Sequence, residues 1–368
     1  MTKIEILSHD IGKEKSVLRV GATEDGKVKS SGGFTFTETS FADTTVKTML
    51  PGGIETPVEN RRNGNVRKMF DYMHDYAANE GVAVSLLHPF SFTYYEQFGY
   101  KKVADHLILR FPTRMIDFVP RRCSFVPYDE TKLSDVLEIY RAFSKGRNLL
   151  PKRIDNSQYV REGRQTYVYY DNGNPTAYVT FTQTKTLYIN NYINTLLTVN
   201  EMAYKSAKGL REIFSFLRMF EGELDETELR DCSLCSEVDL VLKHYVHTDY
   251  KRLPDLAARV INTERLLDAN TYPEKEGEFT VRITDAMPTV AGVYNVCYGG
   301  KDHRIQRLGD SADAQLTLSA TAFVRIIYGY DPVDAKNAEY IEGVEIHSPC
   351  DDFFRAFPKR PCGAFEHF

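Results

Sequence analysis

Ile54-Glu55-Thr56-Pro57-Val58-Glu59-Asn60-Arg61-Arg62-Asn63-Gly64-Asn65-Val66-Arg67 is the stretch on which the reading of this chain turns. An extended segment runs into a basic, glycine-containing turn, and the turn opens a helix over about residues 65–78. Val66, Met69, Phe70, Met73 and Ala77 recur at helical spacing and form one apolar face. Gly64 lets the backbone bend and approach a ligand. The first N–H groups of a helix lack intrahelical partners, and its dipole adds partial positive charge there. Such a turn can hold a pyrophosphate, with Arg62 and Arg67 adding charge-assisted contacts. A solvated basic helix start is the bland alternative.

Outward from this stretch the pattern is mixed α/β. Val17–Ala22 and Gly33–Thr39 alternate apolar and polar residues as strands do, and Asp25-Gly26 is a hairpin turn signal. Pro51–Pro57 is a strand with glycines near its start, Gly81 ends the helix, Val82–Leu87 is a short buried strand, and a second helix begins near Phe92. After residue 118 the order repeats. A helix spans Thr131–Ala142, strands Arg164–Tyr170 and Thr176–Thr184 flank a turn, and a helix spans Ala203–Phe220, which is compatible with an internal duplication. From residue 253 a further α+β segment ends in Cys362-Gly-Ala-Phe-Glu-His-Phe368. Three domains are expected: 1–118, 119–252 and 253–368.

The 368 residues carry a formal net charge of −5, and hydrophobic residues make up 42%. The acidic balance argues against general nucleic-acid binding. No apolar run approaches the ~20 residues of a membrane span, and the charged start is unlike a signal peptide, so a cytoplasmic protein is expected. Cys232-Ser-Leu-Cys235, with His244 and His247 after it, has too short a spacing for a zinc finger; buried thiols acting as small apolar groups are expected, and no metal site.

The order strand, Arg-Arg-x-Gly, helix, strand, then a helix ending in Tyr95-Glu-Gln-Phe-Gly-Tyr100 resembles the acetyl-CoA site of GNAT-fold N-acetyltransferases. With the Gly-Gly-Ile-Glu-Thr strand and the aromatic chain end, it is most similar to the Eis-like acetyltransferases. These consist of two fused GNAT-fold domains followed by a sterol-carrier-protein-like α+β domain. The resemblance implies an N-acetyltransferase that moves an acetyl group from acetyl-CoA to a primary amine of aminoglycoside, polyamine or lysine type. It implies a homo-oligomer of hexameric type, and a cofactor site in the first domain alone, since residues 196–220 lack a comparable Arg-Arg-x-Gly turn.

By matching position the cofactor contacts are Ile54, Glu55 and Thr56 on the strand, Arg62, Asn63, Gly64, Asn65, Val66 and Arg67 in the turn and helix start, and Phe90 with Ser91 after the next strand. The resemblance places the general acid at Tyr95 and the base at the terminal carboxylate of Phe368. Tyr95 could instead merely pack in an aromatic cluster. Two departures stand out. Val66 occupies a position where Gly or Ala is commonest. Only 16 residues precede Val17, where family members carry some 30 more, including two helices that wall the acceptor pocket. Either that pocket is more open here, or the chain is truncated or diverged. A non-catalytic CoA- or lipid-binding protein is the competing expectation, although Lys301–Arg304 interrupts the apolar character such a carrier needs.

Overall fold

The computed structural model describes residues 2–12, 15–117, 123–187, 193–242, 247–300, 302–330 and 333–366. They build two seven-stranded sheets and one five-stranded sheet with interspersed helices, a mixed α/β fold as the sequence pattern implies. Two compact units result. One takes residues up to Ala104 together with Asp255–Cys362; the other takes Asp105–Pro254 together with Gly363–Glu366.

The first unit begins with an antiparallel meander of β1 (Lys3–Ile11), β2 (Ser16–Glu24), β3 (Lys27–Phe41) and β4 (Thr44–Glu55). Asp25 and Gly26 both adopt positive φ, 50° and 71°, which suits a tight turn between twisted strands. Helix α1 (Asn65–Asn79) follows, then β5 (Val84–Leu87) parallel to β4, the short helix α2 (Phe92–Glu96) and β6 (Lys101–Lys102). Met69, Phe70, Met73 and Ala77 are fully buried, each large side chain contributing about 1.5–3 kcal/mol. Val66 is only half-buried, while the polar Asn65 and His74 lie inside. Gly81, at φ +72°, closes α1: its N–H and that of Val82 return to the carbonyls of Ala78 and Ala77.

The reading that starts the sheet at Val17 misses β1, which is exposed along nearly its whole length and so carries a weak hydrophobic pattern. Among the described residues no helix precedes the 3₁₀ turn Val58–Asn60, so the two wall helices of the resembled family have no counterpart there. The strand Ala257–Val260 inserts between β5 and β6, antiparallel to both, and completes the first sheet. The five-stranded sheet of the same unit is Gly277–Thr284, Gly292–Gly299, Asp302–Leu308, Leu316–Ser319 and Val344–Ile346.

The second unit repeats the topology of the first. Strands Gln165–Asp171, Asn174–Leu187 and Ile193–Tyr204 form a meander, helix Ala207–Arg218 follows, and Glu226–Leu229 returns parallel to Ile193–Tyr204. Ala203 and Tyr204, expected in the helix, end the strand instead. Asp105–Pro112 pairs in this sheet with Glu226–Leu229 and Asp249–Pro254. Cys232 and Cys235 are buried in the unit's apolar core, and His244 lies outside the described residues.

Arg153 is buried in this unit. It holds Glu201 with two hydrogen bonds, 2.5 and 2.9 Å, and Glu366 through Nε at 2.5 Å. Burial raises the Glu366 carboxyl pKa against the pull of Arg153. Removing the cation strands two buried carboxylates. Arg153→Met should therefore cost roughly 3–5 kcal/mol in denaturant unfolding; a loss below ~1 kcal/mol would show that the carboxylates find other partners.

Candidate functional site

β4 and β5 run parallel but pair only at Thr48 with Val84 and Met49 with Ser85. Past Met49 the ladder stops and the strands part. Pro51 has no N–H to offer a neighbour, and Gly53 takes φ +57°. Ser85 fixes the point of parting: its hydroxyl donates to the Met49 carbonyl at 3.1 Å and accepts from the Tyr100 hydroxyl at 2.7 Å. Nε2 of His74 lies 3.3 Å from that same hydroxyl. Burial, then the nearby Arg259 charge, push the His74 pKa well below its ordinary value, so the ring is neutral.

From the parting, β4 leads through Thr56–Asn63 into α1. Arg62, at φ +62°, and Gly64, at φ +71° and ψ 8°, are left-handed, and the second passes directly into the right-handed helix. Successive N–H groups in such an alternation point into one concavity, a nest for an anion. The α1 N-cap is Gly64, which has no side chain to satisfy them. Arg61 is used within the loop, its Nε donating to the Thr56 carbonyl at 3.2 Å. Arg62 has no hydrogen bond or ion pair among the described residues. Asn65, 5% exposed, has no partner for Oδ1. An uncapped helix start, an uncommitted guanidinium and an unsatisfied buried amide oxygen together fit a ligand carrying phosphate oxygens and N–H or O–H donors.

A groove of about 690 Å³ opens at this place. Ile54, Thr56, Arg62, Asn63, Gly64, Asn65, Val66, Arg67 and Phe90 line it. Two expected contacts do not. Glu55 is exposed, and Ser91 caps α2, its hydroxyl accepting from the Tyr94 N–H. Ser30, Asn60, Arg61, Tyr94, Gln97 and Phe98 also line the groove. The i, i+3 spacing of Tyr94 and Gln97 could have placed them on one face. Ser30 is brought in by the pairing of β3 with β4, which local sequence does not announce. Arg67 lines the groove, but its guanidinium is turned to Gln97, with Nη2 2.8 Å from Oε1 and Nη1 3.3 Å from the carbonyl.

Tyr95 is 6% exposed and does not line this groove. Its ring packs among Phe70, Phe90, Tyr94, Phe98 and Tyr100 at centroid distances of 5.2–6.2 Å. Its hydroxyl has no hydrogen-bond partner among the described residues. Burial, then the neighbouring Tyr94, push its pKa up to about 12, so it is protonated across the physiological range. Phe368 and His367 lie outside the described residues.

Residues 11–103 match the family described as an acetyltransferase (GNAT) domain. The chain carries a GNAT acetyltransferase domain. It is an enzyme of the N-acetyltransferase class. Solved structures similar to the whole chain include a GCN5-related N-acetyltransferase from Anabaena variabilis (15% identity, TM-score 0.81, covering 95% of this chain and 89% of that one). Another is a probable N-acyltransferase from Enterococcus faecalis (16%, TM-score 0.77, 96% and 89%). Eis1 from Mycobacterium abscessus matches over 100% of both chains at 14% identity and TM-score 0.78. Among curated proteins none matches the sequence.

Within the GNAT domain the Tyr95–Tyr100 segment needs glycine at 99 for two reasons. Its φ is +82°, and a Cβ there would lie 1.6 Å from Nη1 of Arg259, whose Nη2 is bound to Asp285 at 3.1 Å. Gly99→Ala should lower stability by roughly 2–4 kcal/mol by thermal or denaturant unfolding. Part of that loss should disappear in an Arg259→Ala background; an equal loss in both backgrounds would assign it to backbone strain alone.

Proposed function

We propose that the protein transfers the acetyl group of acetyl-CoA to a primary amine on a small cationic or lysine-bearing substrate. The observation that carries this reading is the uncapped start of α1 with Arg62 beside it, opening where β4 and β5 part. Acetyl-CoA, when bound, supplies the activated acyl group and the thiolate that leaves. The N–H groups at Gly64–Arg67 and the Arg62 guanidinium hold the diphosphate, and Asn65 Oδ1 accepts from a donor of the ligand. The open edge of β4, with Ile54 and Thr56 on the groove wall, receives the pantetheine arm.

Tyr95 protonates the leaving thiolate. Its hydroxyl has no competing partner, and its raised pKa keeps the proton on until it is needed, although it weakens the acid. The terminal carboxylate of Phe368 takes the proton of the amine, as the Eis-like resemblance implies. The domain reading is a catalytic GNAT domain, a second GNAT-like domain without a cofactor site, and a C-terminal domain similar to sterol carrier proteins. The full-length likeness to Eis1 supports this Eis-like arrangement. So does the second helix start, where Ser206 caps Ala207–Arg218 through the Gly209 N–H and occupies the end that an anion would need. A cytoplasmic homo-oligomer completes the reading.

Incubating the protein with acetyl-CoA and a panel of aminoglycosides, polyamines and lysine peptides, with free thiol followed, should give amine-dependent release; bound CoA without release from any amine would defeat the reading. Tyr95→Phe should lower kcat by roughly 10²-fold with little change in CoA affinity. Near-normal turnover would remove Tyr95 as the acid. A short peptide fused after Phe368 should abolish turnover, and full activity of the fusion would remove the terminal base.

A further inference from the structure

The acid-bearing helix α2 has five residues. A helix that short does not hold itself in water, so its orientation must be imposed from outside. Ser91 fixes its start. Its end is held by Arg67, which stands on the first turn of α1. The guanidinium donates to both the side-chain and main-chain oxygens of Gln97, at 2.8 and 3.3 Å. Its carbon also lies 5.2 Å from the centre of the Phe98 ring. Phe98 in turn stacks on Phe70, three residues along α1 from Arg67, at 4.7 Å and 18° between ring planes.

The fork of an arginine suits such a two-point grip, which a lysine cannot reproduce. The grip is two residues from Tyr95, and the connection is covalent and hydrogen-bonded. The Tyr95 carbonyl accepts from the N–H groups of Phe98, at 3.0 Å, and Tyr100, at 3.3 Å. Any swing of Gln97 therefore rotates the backbone that carries the Tyr95 ring. Arg62 stands in contrast: it shares the loop, lines the same groove, and none of its donors is committed among the described residues.

We infer that Arg67 and Gln97 form a latch between α1 and α2, and that Arg67 is a positioning residue for Tyr95 while Arg62 is the cation left for the ligand's phosphates. The inference rests on the acetyltransferase reading above, in which Tyr95 is the acid. It ties the helix whose start meets the anion to the helix that bears the proton donor, so that the two move as one piece.

The test uses the full chain with Arg67→Lys, Gln97→Ala and the double variant. A latch predicts that each single variant lowers kcat about five- to tenfold with the KM for acetyl-CoA within about twofold of the parent, and that the double variant is no worse than either single one. A raised KM with unchanged kcat in Arg67→Lys, beside a silent Gln97→Ala, would overturn it and make Arg67 a phosphate ligand. Lowered melting temperature with unchanged kcat would overturn it as well, leaving a merely structural contact. A second readout needs no turnover: NMR titration of ζ-13C-labelled tyrosine, with Tyr95 assigned by Tyr95→Phe. Opening the latch hydrates the ring, so the Tyr95 midpoint should fall from about 12 toward the ordinary value near 10 in both single variants. An unmoved midpoint overturns the latch whatever the activity. Absence of amine-dependent thiol release from the parent protein defeats the acetyltransferase reading separately.

Discussion

β4 and β5 lie side by side through two residue pairs, Thr48 with Val84 and Met49 with Ser85, and then separate. The groove at the start of α1 opens where that pairing stops. Buried hydroxyls hold the place: Thr48 bonds Thr39 at 2.7 Å, and Ser85 joins Met49 to Tyr100. Because buried polar groups must be paired, slipping the strands by one residue would break several of these bonds at once. The separation leaves one edge of β4 without a neighbouring strand, carries the chain into the loop at residues 56–64, and delivers α1 with its start facing an open groove.

The two units show how one topology can leave a helix start open or close it. In each, a strand enters a helix that returns to a parallel strand. In the first unit nine residues separate strand from helix, and the cap position is a glycine with no side chain. In the second only Lys205 and Ser206 intervene, and the Ser206 hydroxyl accepts the bond that an anion would otherwise accept. Lys205 and Lys208 are committed to Glu138 and Asp171. The difference is local chemistry on a shared backbone plan, which is why fold likeness alone could not assign the site.

Much of the first unit was legible because its signals are local. The α1 face at Met69, Phe70, Met73 and Ala77, the turn at Asp25-Gly26 and the glycines at 64 and 81 each declare themselves within a few residues. What was not legible depends on distant partners. β1 carries too little buried surface to show a pattern, and Asp105–Pro112 falls within the expected first domain although its partners lie beyond residue 225. Within the groove, Arg67 looked from sequence like a phosphate contact. Its engagement with Gln97 appears only when α2 folds back over α1, thirty residues later. The neutral, buried His74 likewise depends on Ser85, Tyr100 and Arg259 arriving from three other elements.

The insertion of Ala257–Val260 between β5 and β6 bears on how the protein comes into being. The strand that completes the first sheet, and the Arg259 that packs against Gly99, are made only when synthesis has reached residue 260 of 368. Until then β5 presents a bare, wholly buried-type edge, and the segment bearing Tyr95 lacks its support. The first sheet thus has a high contact order and closes late. A fragment ending near residue 104 would keep α1, α2 and the groove residues, but its first sheet would lack the strand that joins β5 to β6.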